Sequence, residues 1–141
     1  MWVVVHMLSG MALGALLPNN MWVVVAAAVV GHLLLDIVPH WDYVHRPNKE
    51  LWGMLDVGAS AAIALVGYRY MGLPAKVVVC GIVSSVPDLD VLNALLPYKQ
   101  RTRWFPSHWN SFPHGKAERL PGILIQVMIL IVSGAVVIRY G

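Results

Sequence analysis

Charge is what this chain has least of. Only 12% of its 141 residues are Asp, Glu, Lys or Arg, against about 25% in an ordinary soluble domain. A soluble protein of this length must present a large surface to water, and so few charges could not cover it. Cysteine is almost absent as well. Cys80 stands alone, cannot close an internal disulfide, and lies inside an apolar run as a small packing residue. The opening Met1-Trp2-Val3 lacks the basic stretch of a cleavable leader, and the first apolar run reaches Pro18-Asn19-Asn20 without a good small-residue cleavage site. No HExxH helix, nucleophilic-serine motif, P-loop or dinucleotide fingerprint is present. A formal net charge of +3 is too small to argue for nucleic acid. The cations sit in loops beside the apolar runs, where anionic lipid headgroups would attract them.

What the chain does have is apolar length. It is 58% hydrophobic with a mean hydropathy of +0.66. Five apolar stretches stand out, residues 2–17, 21–38, 51–70, 75–96 and 120–140, separated by Pro, Asn and Gly punctuation. A spanning helix needs about 20 apolar residues. The third, fourth and fifth stretches meet that length; the second is borderline, and the first is short enough to be re-entrant or tilted. The expected architecture is therefore an all-α, polytopic membrane helix bundle with about five apolar segments, a single integral membrane domain over residues 1–141.

If all five stretches cross, the N-terminus, the loop after the second and the long loop from Pro97 to Arg119 share one side. That side carries Arg46, Lys49, Lys99, Arg101, Arg103, Lys116 and Arg119; the other carries Arg69, Lys76 and Arg139. Seven cations against three predict a cytoplasmic N-terminus in an inner (plasma) membrane. The long loop also interleaves Trp104, Phe105, Trp109 and Phe112 with its cations, the composition of a segment at headgroup level.

Ionisable groups at membrane depth are costly and normally face a bundle interior, paired or bound to ions. His32, Asp36 and His40 follow an i, i+4, i+8 spacing, so His32 and Asp36 stack on one helix face. Pro39 ends or bends that helix and leaves His40 and Asp42 at its mouth. Imidazoles and a carboxylate at this spacing suit zinc or another first-row divalent ion; a structural ion pair or a proton relay would use the same residues. Asp56 opens the third stretch. Pro87-Asp88-Leu89-Asp90 breaks the fourth, and backbone breaks at membrane depth are tolerated where they line a protein or water cavity. A helix end capped by Asp at the interface is the plainer reading of that segment. In the five-span arrangement His6, His32, Asp36, Asp56, Asp88, Asp90, His108 and His114 all fall in the same half. This convergence is the strongest functional signal in the sequence.

The same residues resemble a known family. His6 before the Gly-rich run Ser9-Gly10-Met11-Ala12-Leu13-Gly14, the His-(3)-Asp helix at His32 and Asp36, and Pro87-Asp88-Leu89-Asp90 are similar to motifs of the small membrane-bound, metal-dependent putative hydrolases, also described as LexA-binding inner-membrane-associated hydrolases. Arg103-Trp104-Phe105-Pro106-Ser107-His108 matches in part that family's His-Arg-x-x-Thr-His-Ser signature, without its first His and its Thr, and the His–Asp helix here comes before the Pro-Asp-x-Asp segment. The resemblance implies divalent-metal-dependent hydrolysis of phosphoesters.

Together these features predict a metal-dependent hydrolase of a phosphoester or phospholipid at the cytoplasmic leaflet. Its metal ligands would come from His6, His32, Asp36, His40, Asp42, Asp88 and Asp90. Asp56, His108 and His114 are candidate catalytic groups, and Arg103 a candidate phosphate clamp by bidentate hydrogen bonding. Zinc is the first choice of cofactor, with manganese or magnesium next. Membrane lipid is both environment and expected substrate, nucleic acid is not expected as a partner, and a homo-oligomer stays open. The alternative is a divalent-cation or proton transporter or channel using the same His/Asp cluster; a third reading has the polar residues merely locking helices together.

Overall fold

Proline decides where most of the helices stop. The computed structural model describes residues 1–44, 46–89 and 103–141, and among them are five α-helices, two 3-10 turns and no strand. Helix α1, Val3–Leu16, ends at Leu17, whose backbone is extended (φ −83°, ψ 154°) ahead of Pro18. Helix α2, Met21–Ile37, ends in the same way at Val38 (φ −64°, ψ 133°) ahead of Pro39. Its start is capped by the Asn20 side chain, which accepts from the Trp22 and Val23 amides at 3.0 and 3.4 Å. Helix α3, Lys49–Arg69, has Glu50 in its first turn and Arg69 in its last, matching the helix dipole at both ends. The chain then turns through Gly72 at φ 68°, a left-handed value that glycine adopts without penalty.

The fourth apolar stretch departs from one continuous helix. Helix α4 covers only Ala75–Ser85, and Val86–Asp88 tighten into a 3-10 turn. Pro87 has no N–H to continue the α-helical ladder, and its ring crowds the preceding turn. Residues 90–96 of that stretch lie outside the described residues. Helix α5, Arg119–Tyr140, carries Pro121 in its first turn, where a backbone N–H has no partner within the helix.

Helix α1 is the centre of the bundle and packs against all four other helices. Its contact with α4 is closest because glycines face each other across it. A Cβ on Gly10 would lie 2.6 Å from Ser84 Cβ and 2.7 Å from the Cys80 carbonyl oxygen; one on Gly14 would lie 2.7 Å from Cys80 Cβ. Gly81 answers from α4, where a Cβ would come within 2.5 Å of Met11 and 2.8 Å of the Met7 carbonyl. Gly10-x-x-x-Gly14 thus works as a small-residue seam that lets two backbones approach. Met7, Met11, Val77, Val78, Leu73 and Val137 form the apolar core beside it.

The distribution of polarity is inverted relative to a soluble protein. His6, His32, Asp36, Ser60, Gln126 and Ser133 are buried, while Trp22, Met54, Leu124, Met128, Ile131 and Ile138 are exposed. Among the described residues two helices, α3 with 21 residues and α5 with 22, are long and apolar enough to cross a membrane. Helices α1 and α2, with 14 and 17 residues, are about 21 and 26 Å long, short of a hydrocarbon core of about 30 Å. About five apolar segments were expected, the second borderline and the first short enough to be re-entrant or tilted; among the described residues length and composition license two crossings.

One end of the bundle gathers the N-termini of α1, α3 and α5 and the C-termini of α2 and α4. Asp56, in the second turn of α3, accepts from the Val3 and Val4 amides at 2.8 Å each. From α5, Gln126 accepts from the Trp2 amide at 3.0 Å and donates to the Trp41 carbonyl at 2.9 Å. Replacing Gly10 with Ala should lower stability by about 1–3 kcal/mol through overpacking of the α1–α4 seam. Gly58→Ala, where a Cβ meets nothing within 4 Å, should leave the thermal midpoint in detergent unchanged or slightly raised.

Candidate metal centre

The last two turns of α2 carry the first pair. His32 and Asp36 stand one turn apart, with Nε2 of the ring 3.1 Å from Oδ2 of the carboxylate, and both side chains are fully buried. His6 comes in from the end of the first turn of α1; its Nε2 lies 3.2 Å from Asp36 Oδ1 and 3.8 Å from Asp88 Oδ2. Asp88 arrives at the end of the turn forced by Pro87. His108 comes from the second 3-10 turn, Pro106–His108, with Nε2 3.4 Å from Asp88 Oδ1 and 3.6 Å from Asp36 Oδ2. Four separate elements thus deliver these five side chains to one point.

A second group adjoins the first on its open side. His40 Nε2 lies 3.3 Å from Asp42 Oδ2, and His114 Nε2 lies 3.6 Å from the same oxygen. Asp36, His40 and His114 each offer a ligand atom, all within 4.8 Å of one another; the same holds for His6, His32 and Asp36, and for His32, Asp88 and His108. His114 is held there by an extended strap. The Gly115 amide donates to the Asp36 carbonyl at 2.8 Å and the Ala117 amide to the His40 carbonyl at 3.0 Å, the first satisfying a carbonyl that the end of α2 leaves open. A side chain at Gly115 would collide with the Ile37 and Val38 carbonyls, so only glycine lets the strap lie this close.

The spacing is that of a coordination shell. Bonds of about 2.0–2.2 Å to a tetrahedral ion place its ligand atoms roughly 3.3–3.6 Å apart, and the contacts above span 3.1 to 3.8 Å. These atoms are also unsatisfied by the protein. Nε2 of His6, His32 and His40, both oxygens of Asp36 and Oδ2 of Asp88 are buried without a hydrogen bond, which is costly unless something else is bound there. In His32 and His40 the other ring nitrogen is spoken for. His32 Nδ1 lies 2.7 Å from the Ser84 carbonyl and His40 Nδ1 2.7 Å from the Val38 carbonyl. A carbonyl oxygen can only accept, so each Nδ1 carries a proton, and Nε2 is the atom each ring turns to the cluster, a lone-pair donor in the neutral ring. Backbone partners of this kind set the tautomer and direction of a metal-binding imidazole. The His6 ring stacks on His32 at 3.9 Å between centroids, and the Phe105 edge meets His32 at 5.0 Å.

Exposure grades from inside to outside. His6, His32 and Asp36 are inaccessible, whereas the side chains of Asp42 and His114 are 27% and 23% exposed. The Met1 amine sits at this mouth, 3.2 Å from Asp42 Oδ1 and 3.6 Å from Asp36 Oδ1. Burial by itself would raise the Asp42 carboxyl, but the Met1 amine, His114 and His40 outweigh it and hold the group well below the usual carboxylate range.

Of the candidate residues read from the sequence, His6, His32, Asp36, His40, Asp42, Asp88, His108 and His114 come together here. Asp90 lies outside the described residues. Asp56 sits elsewhere: both its oxygens hold the first turn of α1, and one also accepts from the Tyr43 hydroxyl at 3.0 Å. It positions the helix that carries His6. Arg103 is engaged within the long loop, donating through Nη1 to the His108 carbonyl at 2.9 Å and to Asn110 at 3.3 Å, so it braces the turn that presents His108. Sequence reasoning missed the Ser84 and Val38 carbonyls, the Gly115 strap and Gln126. Prolines at 39 and 87 signal the first two, since broken helices leave carbonyls available; the strap has no comparable signal.

Asp56→Ala should remove three hydrogen bonds and cost about 1–3 kcal/mol, read as a lower thermal midpoint, while metal content at saturating ion stays at the wild-type level. His32→Ala should reverse that pattern, with a loss of tightly bound metal measured by elemental analysis. Comparison of the chain with protein-family models, with curated proteins and with solved structures gives no match.

Proposed function

We propose that the protein is a membrane-embedded, metal-dependent hydrolase acting on a phosphoester lipid at the headgroup level of one leaflet. The observation that carries this reading is the cluster itself: imidazoles and carboxylates from separate elements, at coordination spacing, with orphaned atoms aimed at a common centre. Zinc fits the nitrogen-rich donor set best, with manganese next. A divalent ion held there supplies Lewis acidity toward a phosphoryl oxygen and makes water acidic enough to attack near neutral pH.

The chain's own residues supply the rest. The buried donors His6, His32 and Asp88 hold position, because their rings and carboxylate are enclosed by the bundle. Asp42 and His114 border the open side, where the Asp42 carboxylate can accept a hydrogen bond from a group entering there. Arg46 and Arg119 flank the Trp41 ring at 5.6 Å on the same side of the molecule, and Lys116 is exposed two residues from His114. Such cations beside an aromatic ring suit an anionic headgroup.

In this reading α3 and α5 cross the bilayer, α1, α2 and the α4 segment complete a polytopic bundle between them, and the centre faces the cytoplasm of an inner membrane. The substrate would approach sideways from the leaflet. Purified protein loaded with zinc or manganese should release product from a panel of phospholipids and pyrophosphate lipids. Asp88→Asn should reduce turnover about 100-fold or more with the helical content intact. No product from any lipid, together with metal-dependent ion flux across liposomes, would overturn the hydrolase in favour of a transporter.

A further inference from the structure

The cluster holds more donors than one ion can use. Five imidazoles and three carboxylates meet here, whereas a protein-bound zinc takes about four ligands. They also divide by position. His6, His32, Asp88 and His108 belong to the inner group, delivered by α1, α2 and the two 3-10 turns. His40, Asp42 and His114 belong to the outer group, delivered by the loop after Pro39 and by the strap. Among the described residues Asp36 alone belongs to both. Its Oδ2 lies 3.1 Å from His32 and 3.6 Å from His108, its Oδ1 lies 3.2 Å from His6, and a carboxylate oxygen of the same side chain lies within 4.8 Å of ligand atoms on His40 and His114.

We infer that the centre is dinuclear, with two first-row divalent ions bridged by the Asp36 carboxylate. Two such ions about 3.5–4 Å apart would form the clamp that stabilises the attacking and leaving oxygens of an in-line phosphoryl displacement. Among the described residues both oxygens of Asp36 are buried without a hydrogen bond, and so is Nε2 of His40, whose ring turns Nδ1 to the Val38 carbonyl. The inner ion would be sealed by the bundle and the outer one reached from the surface past Asp42 and His114. The Met1 amine is the competing partner for the outer carboxylates, lying within 3.2 and 3.6 Å of Asp42 and Asp36. If it alone compensates them, only one ion binds.

This inference rests on the metal-binding part of the proposed function and not on hydrolysis. Full-length protein saturated with Mn²⁺ and freed of loose ion should carry two equivalents by elemental analysis, with an exchange-coupled electron paramagnetic resonance spectrum. His114→Ala, at the partly exposed strap, should fall to one equivalent and show an uncoupled spectrum. His40→Ala should do the same, so that the outer site is tested twice if one variant fails to fold. One equivalent in the wild type, or two uncoupled ions unaffected by both outer substitutions, overturns the dinuclear centre. Two coupled ions with no lipid turnover would keep the ion pair and remove the hydrolase; turnover with a single ion would do the opposite.

Discussion

A carboxylate buried to zero exposure between apolar helices is the constraint around which the rest of this molecule is organised, because an ionised group cannot stay in such a place without charge and hydrogen-bonding partners. Asp36 occupies that position. Desolvating a carboxylate costs several kcal/mol even after relaxation. His6, His32 and His108 surround its oxygens from three other directions of approach. The bundle can be read outward from this point. The glycine seam draws α1 close to α4 and so carries His6 to Asp88, and the strap over the end of α2 carries His114 to Asp36.

The prolines have a second role beyond ending helices. A continuous α-helix uses its carbonyls internally, leaving none for side chains. Where Pro39 and Pro87 interrupt the ladder, the Val38 and Ser84 carbonyls become acceptors for the Nδ1–H groups of His40 and His32. The helix breaks thereby become the supports of two imidazoles. The same breaks bring Asp42 and Asp88 to the cluster.

The supporting residues show why function and stability are interleaved here. Asp56 holds the N-terminus of α1, Gln126 ties Trp2 to Trp41, and Arg103 braces the His108 turn. None of the three needs to touch an ion to set where one would bind. Each spans a large separation in sequence or anchors a loop, so the position of the cluster depends on the closure of the whole bundle.

Much of this was legible beforehand. The scarcity of charge and the long apolar runs carry the all-helical class, since backbone groups shielded from water must pair within their own segment. The i, i+4 spacing of His32 and Asp36 puts them on one face by helix geometry alone, and the gathering of His and Asp at alternate segment ends foretells a common pocket. What only the tertiary structure decided is who shares whom. Asp56 and Asp88 look alike as carboxylates in apolar stretches, yet one caps a neighbouring helix and the other joins the cluster. Arg103, suited on paper to a phosphate, donates through Nη1 to its own loop. The bridging place of Asp36 between two groups, and the strap that Gly115 permits, depend on contacts between residues dozens of positions apart. Local periodicity fixes the face a side chain occupies; its partner is set by how the faces close on one another in three dimensions.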